Sequence, residues 1–359
     1  MVFSDSAFDH HEVVEFVSDP ASGLQAIIAV HSTALGPAAG GCRFWSYATG
    51  AAALHDALRL SRGMSYKNAL ADIPFGGGKA VILAPQTPLS RDALFTAFGR
   101  AVERLGGRYV TAEDVGTSVA DMMVVARQTC FVSGIGDVDE HGATTGGGDP
   151  SPHTALGIFH GVQAAVAARL GRGDLAGVRI AVQGLGNVGF NLCTLLHNAG
   201  TVLTVADVRD ESVRRAVETF GASACAPEAI LAADVDVVSP CALGAVLTRQ
   251  SIPTLKASIV AGGANNQLET DADGDLLQAR NILYAPDYVI NAGGIISVAL
   301  EYLDTYDAED LSRRLAGIGA RLSGIFAEAQ RTGKPTNVLA DAMAQARIAS
   351  ARPAERVAA

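Results

Sequence analysis

An α/β fold in two domains is what this sequence predicts, and three observations carry the prediction. The 359 residues suffice for two domains of ordinary size. A composition 49% hydrophobic with 39 glycines suits layered packing with many tight turns. In the second half, short apolar runs alternate with amphipathic stretches, the pattern of a parallel sheet covered on both faces.

Composition also excludes several classes. A formal net charge of -10 without any basic run argues against nucleic acid, whose phosphates demand a concentrated positive surface. The longest apolar runs, such as Ala26 to Val30 and Ala80 to Ala84, fall far below the roughly 20 residues that cross a bilayer. Met1 is not followed by a basic patch and an apolar stretch, so a cytoplasmic protein without a membrane partner is expected. The five cysteines, Cys42, Cys130, Cys193, Cys225 and Cys241, are scattered without CxxC spacing. They read as buried thiols in a reducing compartment, and no metal site is expected.

Along the first half, Leu24 to Val30 is an apolar strand candidate, followed by a glycine and proline turn region from Leu35 to Gly41. From Thr49 a helical stripe runs through Ala53, Ala57, Leu60 and Met64 and continues in register to Lys67. A lysine on that stripe either snorkels to solvent from a fraying helix end or has a use inside. Asp72 to Phe75 leads into Gly76-Gly77-Gly78-Lys79, and Ala80 to Leu83 resumes a strand pattern, which places Lys79 where a loop without side chains meets a strand. A helix over Arg91 to Leu105 precedes Tyr109 to Gly116, and Val119, Met122, Met123 and Ala126 form the next helical stripe. Asp114 either starts that helix, where the dipole favours a carboxylate, or serves a site. Of 27 basic residues only four are lysine, and Lys67 and Lys79 lie twelve residues apart in the most glycine-rich part of the first half. Lysine, unlike arginine, can release its proton near neutral pH in a suitable setting, which singles out this pair.

The stretch from Gly134 to Pro152 holds Gly142, Gly146, Gly147, Gly148, Pro150 and Pro152 and suits a hinge crossing between domains. A helix is expected from Thr154 to Leu170. Strand and helix then alternate through Val178 to Val182, Val188 to Asn198, Val202 to Ala206, Asp210 to Phe220, Val235 to Val238, Ser258 to Val260 and Ile282 to Tyr284. From Gly293 the chain is mostly helical through Ala329, with another helix near Val338 to Ala346 and a frayed tail over Ser350 to Ala359.

The run Val178 to Gln183 feeds Gly184-Leu185-Gly186-Asn187-Val188-Gly189, a GxGxxG in its required setting of strand then helix. The motif alone is weak, but Asp207 closes the second strand, 23 residues after Gly184. Gly184 permits the tight turn, Gly186 lets a pyrophosphate approach backbone N-H groups, and Gly189 allows the helix to pack closely. Asp207 can accept hydrogen bonds from both ribose hydroxyls and would repel a 2'-phosphate. NAD is therefore expected over NADP, with Arg209 tempering that preference.

Seven motifs then agree in order with one family. They are Gly40-Gly41-Cys42-Arg43, Gly63 to Asn68, Phe75 to Lys79, Thr111 to Gly116, Asp149 to Ala155, Gly184 to Gly189 and Ala264 to Leu268. Over roughly residues 20 to 345 the chain resembles the amino acid dehydrogenase family of leucine, phenylalanine, valine and glutamate dehydrogenases, most of all its shorter branched-chain and aromatic members. The resemblance implies an N-terminal α/β substrate-binding domain and a Rossmann-type NAD-binding domain separated by a cleft. The first is expected over 1–134, completed by C-terminal helices 331–359 and used for oligomerisation. The second is expected over 135–330, with returning linker helices. A homo-oligomer is implied. By the same resemblance Lys67 binds the substrate carboxylate, Lys79 and Asp114 are catalytic, and Gly40 and Gly41 lie beside the substrate. Thr154 and Ala242 join the glycine motif and Asp207 on the cofactor, and Asn265, or Asn266 one position on, sits near substrate and nicotinamide. Ala39, Ala112, Ile295 and Val298 line the side-chain pocket. Two positions depart from the common pattern: Cys42 stands where threonine is frequent, and Asp149 where asparagine is.

The chemistry suits these residue types. Oxidative deamination removes hydride from Cα of an amino acid, leaving an iminium ion that water converts to a 2-oxo acid and ammonia. An ammonium at Lys67 can fix the carboxylate. A free amine at Lys79 can take a proton from the attacking water, and Asp114 can shuttle protons at nitrogen. The three glycines at 76 to 78 are expected to clear bulk from the reacting centre. An apolar pocket would leave a glutamate γ-carboxylate unpaired at a cost of several kcal/mol, so leucine, valine, isoleucine or phenylalanine is expected. Two other readings stay open. A 2-hydroxy acid dehydrogenase shares the nucleotide domain but uses a His-carboxylate pair, and none of His31, His55, His141, His153 and His160 sits beside an acid in a comparable motif. A non-catalytic NAD-binding regulator would bind without turnover.

Overall fold

The computed structural model describes residues 2–84, 90–135, 137–138, 144–145, 149–242 and 244–351. His141, Gly142, the glycines 146 to 148 and the tail from 352 onward lie outside the described residues. The chain divides into two compact units, one of Met1–Gly148, Val298–Thr305 and Ala344–Ala359, the other of Asp149–Ser297 and Tyr306–Met343.

In the first unit β1 (Val13–Asp19), β2 (Leu24–Ser32), β3 (Ala38–Ala39) and β4 (Cys42–Trp45) precede the long helix α1 (Gly50–Ala71). Then come β5 (Gly76–Leu83), α2 (Arg91–Arg104), β6 (Tyr109–Val110) and α3 (Val119–Ala126), and finally the short pair β7 (Asp137–Val138) and β8 (Thr144–Thr145). The main sheet runs β1-β2-β5-β3-β6, with β4 also on β5. It is antiparallel from β1 to β5 and parallel beyond. Alternation along the strands makes two cores. Ile28, Ile82 and Ala80 pack with Phe95 and Phe98 of α2, whereas Ile27, Ala29 and Val81 pack with Ala57 and Leu58 of α1. Burial on both faces is why β2 reads as an unbroken apolar run.

Three expectations are corrected here. Gly76 to Gly78 are not a loop: they are the first residues of β5, with Gly78 opposite Val30, Gly77 opposite Ala39 and Lys79 opposite Ala29. On α1 the buried face is Ala53, Ala57, Ser61, Ser65 and Asn68, while Leu60, Met64 and Lys67 form a half-buried flank beside it. Small residues carry the face because helix and glycine strand approach closely, so hydrophobicity alone misplaced the stripe by one position. The cysteines are not uniformly buried either, since Cys130 is exposed and Cys225 and Cys241 are half-buried. Strands β1, β4 and β6 carry no clear sequence signal: β1 is a half-exposed edge, and the others are short.

The second unit opens with α4 (Ser151–Leu170) and continues as β9 (Arg179–Gln183), α5 (Asn187–Asn198), β10 (Val202–Ala206), α6 (Asp210–Phe220), β11 (Ser223–Ala224), β12 (Val237–Pro240) and β13 (Ile259–Val260). It proceeds through α7 (Ala272–Ala279), β14 (Leu283–Tyr284), α8 (Asp287–Ile290), α9 (Gly293–Tyr302), α10 (Ala308–Thr332) and α11 (Thr336–Ala351), the chain passing to the first unit within α9 and again within α11. All six strands are parallel, in the order β11-β10-β9-β12-β13-β14. That is the doubly wound dinucleotide-binding order, reversing direction at β9, where the glycine motif begins. Among the described residues no helix is long and apolar enough to cross a membrane, and no cluster of His, Cys, Asp or Glu is arranged to hold a metal.

Candidate active site

In the first unit, the glycine pair, the central strand and one helix build a small polar centre. Tyr109 is fully buried, and its hydroxyl donates to the Gly40 carbonyl at 2.7 Å. Buried Asn68 of α1 donates from Nδ2 to the Gly76 carbonyl at 2.6 Å and the Ala39 carbonyl at 3.3 Å. These bonds fix β3, the turn after it and the start of β5 without any side chain from the glycines.

The glycines themselves have a packing role that differs from the expected one. A Cβ on Gly76 would lie 1.9 Å from the Ser32 carbonyl oxygen, on Gly77 2.0 Å from the Ser65 backbone nitrogen, and on Gly78 2.7 Å from the Tyr109 ring. On Gly40 it would meet the Gly78 oxygen at 1.9 Å, and on Gly41 the Glu113 oxygen at 2.6 Å. All five residues are glycine because backbone or ring already fills the space, so the run at 76 to 78 sets element spacing rather than clearing bulk from a reacting centre.

Next along β5, Lys79 is 6% exposed, and its Nζ lies 2.8 Å from Asp114 Oδ2. Asp114 does not start α3: that helix is capped by Ser118 in a capping box with Asp121. Instead the Asp114 backbone N-H donates to Thr117 Oγ1, whose hydroxyl lies within hydrogen-bond distance of the Cys42 and Asp114 carbonyls, a closed turn that fixes where the aspartate stands. Burial alone would raise the Asp114 carboxyl, but the neighbouring Lys79 and Arg43 charges outweigh it and hold it below the usual carboxylate range. Lys67 is half-buried on α1, one turn beyond Met64, whose side chain borders Gly40. Ala39 is buried and Ala112 half-buried, with the Ala112 carbonyl accepting from the Cys42 N-H at 2.8 Å. Val298, half-buried on α9, belongs to this unit too.

The second unit holds the remaining predicted residues. Gly184 adopts φ +93, and a Cβ on Gly189 would lie 1.9 Å from the Gly184 carbonyl oxygen, so turn and helix close tightly here. Gly186 has open space where a Cβ would sit and heads α5 without a side-chain cap, leaving the N-H groups of Asn187 and Val188 for an incoming anion. Asp207 Oδ2 accepts from the Leu185 N-H at 2.6 Å and Oδ1 from the Arg209 N-H at 2.9 Å. Burial acts to raise this carboxyl too, and the two N-H bonds with the Arg209 charge bring it below the ordinary range. Beside them a groove of about 450 Å³ is lined by Leu185, Gly186, Asn187, Phe190, Arg209 and Arg215. Open Gly186, uncapped N-H groups and an ionised acid at the end of the second strand fit a dinucleotide.

Ala242 packs on Gly184, and the two Asn candidates separate. Asn265 Oδ1 accepts from Asn291 Nδ2 at 2.8 Å, whereas Asn266 turns through φ +51 and gives its carbonyl to the Ala245 N-H. Half-buried Thr154 donates to the Pro150 carbonyl, and Asp149 accepts from Asn187 Nδ2 at 2.9 Å, so the unusual acid does meet the glycine motif. Ile295 is half-buried on α9.

Two histidines lie beside acids distant in sequence, pairs that no motif could announce. His55 is 2.9 Å from Asp5 and His31 3.4 Å from Asp9. His55 is exposed, and the other nitrogen of buried His31 is within hydrogen-bond distance of Ser65 Oγ, where burial pushes its pKa down to about 4. Both pairs therefore brace the start of the chain. The residues that sequence reasoning passed over are Arg43, quoted only as part of a motif, and its partners Asp56 and Tyr47. No spacing rule joins residue 43 to residue 114; a strand pairing does.

Residues 10–130 match the family described as Glu/Leu/Phe/Val dehydrogenase, dimerisation domain, and residues 146–211 and 208–356 match the one described as Glutamate/Leucine/Phenylalanine/Valine dehydrogenase. The chain is 48% identical over 347 residues to a leucine dehydrogenase of Geobacillus stearothermophilus, covering 97% of this chain and 93% of that one. It is 46% identical over 345 residues to a valine dehydrogenase of Streptomyces virginiae, covering 95% of each. Among solved structures, the L-tryptophan dehydrogenase of Nostoc punctiforme superposes with a TM-score of 0.82 at 43% identity, over 95% of this chain and 96% of that one.

Proposed function

Since the chain belongs to the Glu/Leu/Phe/Val dehydrogenase family and is an amino acid dehydrogenase, we propose that it oxidatively deaminates an apolar L-α-amino acid with NAD, and runs the reverse reductive amination. The observation that carries this reading is the pair of buried Lys79 Nζ and half-buried Asp114 Oδ2 at 2.8 Å beside Gly40 and Gly41.

Lys67 as ammonium holds the substrate carboxylate and so fixes Cα. The bound nicotinamide supplies the acceptor for the Cα hydride. Lys79 as free amine then takes a proton from water while the water oxygen bonds to the iminium carbon and the C=N electrons move to nitrogen. Asp114, which took its proton from the substrate ammonium before hydride loss, next gives it to that nitrogen. Lys79, having passed its own proton to solvent, accepts the hydroxyl proton as the C-N bond breaks, ammonia leaves and the carbonyl forms. Gly184 to Gly189 hold the pyrophosphate. Asp207 retains acceptor capacity for ribose hydroxyls on Oδ2, where the Leu185 N-H takes one of two lone-pair sites, whereas Oδ1 already meets the Arg209 N-H and, at 3.5 Å, its guanidinium. Thr154, Ala242 and Asn265 complete the cofactor side, and Ala39, Ala112, Ile295 and Val298 the substrate pocket. Oligomerisation through the first unit is part of the same reading, supported by Phe16 and Trp45, large apolar side chains exposed on its sheet.

A panel of amino acids and 2-hydroxy acids, assayed for reduction of NAD and NADP and for the ammonia-dependent reverse reaction, tests the proposal. Turnover of apolar amino acids with NAD is expected; preference for glutamate over every apolar amino acid defeats the pocket assignment. Ala39→Leu fills the buried position on β3 and should lower kcat/KM for phenylalanine about tenfold more than for valine, within the range set by pocket methylenes. Equal losses on the two substrates would remove Ala39 from the pocket. Asp207→Ala should raise the KM for NAD about 10- to 100-fold, as loss of charged hydrogen bonds warrants, while leaving Arg209 to improve the relative standing of NADP. An unchanged KM for NAD would place the ribose elsewhere.

A further inference from the structure

Arg43 is a half-buried cation that bridges two carboxylates, one of them Asp114. Its Nε is 3.4 Å from Asp114 Oδ2, and its Nη1 is 2.8 Å from Asp56 Oδ2. The Tyr47 hydroxyl donates to the same Asp56 oxygen at 2.7 Å, and Arg59 reaches Asp56 Oδ1 at 3.2 Å. Lys79, Asp114, Arg43, Asp56 and Arg59 thus form a chain of alternating charge that starts on β5, crosses β4 and ends on α1. Both cations at Asp114 make their shortest contact with Oδ2.

We propose that Arg43 is a positioning residue for the proton-transfer step: anchored by Asp56 and Tyr47, it holds Asp114 Oδ2 so that Oδ1 is presented to the substrate nitrogen. This rests on the assignment of Asp114 made above. In the forward direction the N-H bond of the substrate ammonium breaks, the lone pair stays on nitrogen and the proton bonds to Oδ1. The rigid guanidinium serves two carboxylates at once through separate N-H groups, which a single ammonium on a flexible stem does poorly. The other titratable groups around Asp114 are Lys79 on β5, Cys42 on β4 and Tyr109 on β6. Burial holds the Cys42 thiol and the Tyr109 phenol well above their usual ranges, so both remain neutral. Arg43 and Lys79 are then the two charges that set the ionisation of Asp114.

The test is the pH dependence of kcat and KM for Arg43→Gln, Arg43→Lys and Asp56→Asn, with Asp114→Asn as reference and thermal unfolding of each protein as control. Arg43→Gln should lower kcat about 10- to 100-fold with little change in amino acid KM, the size of effect that misplacement of a catalytic group produces. Its acidic limb should move up by about one pH unit, because one of two opposite charges is lost. Arg43→Lys should bring the limb back toward wild type while kcat stays low, since charge returns but the fork does not. Asp56→Asn keeps the Arg43 charge and removes a neighbouring negative one, so it should lower kcat more weakly than Arg43→Gln while its acidic limb does not move up. A folded Arg43→Gln protein with wild-type kcat and pH profile overturns the proposal. Should that variant fail to fold, Asp56→Asn decides, and an unchanged kcat there overturns it equally. Wild-type behaviour of Asp114→Asn would instead overturn the assignment of Asp114. An impaired Asp114→Asn beside unimpaired Arg43 and Asp56 variants rejects only the role of Arg43.

Discussion

Lys79→Ala should lower kcat for deamination about 1000-fold, within the 10²- to 10⁴-fold range of a lost general base. The loss should persist at pH 9, where hydroxide cannot replace an amine held at the reacting carbon. The amino acid KM should change much less, because the carboxylate grip is assigned to Lys67 on a different element. Removing one partner of a buried ion pair also costs stability, up to about 3 to 5 kcal/mol where no second cation remains. Arg43 stays beside Asp114 and reduces that cost. Thermal unfolding with steady-state kinetics on Lys79→Ala and on Lys79→Gln separates the two effects. Near-normal deamination at pH 9 by a folded variant would defeat the role of Lys79 as base.

Gly77→Ala should be strongly destabilising to the first unit. The added Cβ would lie 2.0 Å from the Ser65 nitrogen and 2.4 Å from its Cα, so the α1 backbone itself must move. Overpacking ordinarily costs about 1 to 3 kcal/mol, and a displaced helix backbone puts this case at or above the upper end. Gly63→Ala is the contrasting change on the same helix. Nothing lies within 4 Å of that Cβ position, and the substitution should stabilise by about 0.5 to 1 kcal/mol through helix propensity. Urea unfolding of the two variants beside wild type checks both signs, and equal midpoints would show that α1 and β5 are not in contact here. The contact has a chemical consequence. Lys67 rides on α1 and Lys79 on β5, so the meeting of Gly77 with Ser65 sets the separation of the two elements that carry the lysines. Gly77→Ala should therefore depress turnover in whatever fraction folds.

Much of the protein was readable in advance where a local rule applied. GxGxxG after an apolar strand announces its own geometry, because a positive-φ turn, a close helix approach and an acid at the next strand end follow from backbone sterics within about 25 residues. Helices α2, α5 and α6 carry apolar faces that reveal their spans within a few residues. Legibility failed where burial came from packing of small groups. The face of α1 is alanine, serine and asparagine, and a search for hydrophobic stripes slid to its flank. The triple glycine resembles a flexible loop in any local reading, yet it is an extended strand, paired on both edges and pressed between a helix and an aromatic ring.

By itself the sequence determined the residue types and the local turns: two lysines among many arginines, ten glycines spread over five of the seven motifs, an acid ending the second strand of a parallel sheet. Only the tertiary structure decided which of these meet. Lys79 faces Asp114, and Asp114 shares Arg43 with Asp56, because β4 and β5 pair side by side and the turn after β6 lies against them. The physical reason is range. Torsional and hydrogen-bonding preferences act over a few residues and can be read along the chain. Ion pairing and close packing act through space, between groups as far apart in sequence as Arg43 and Asp114.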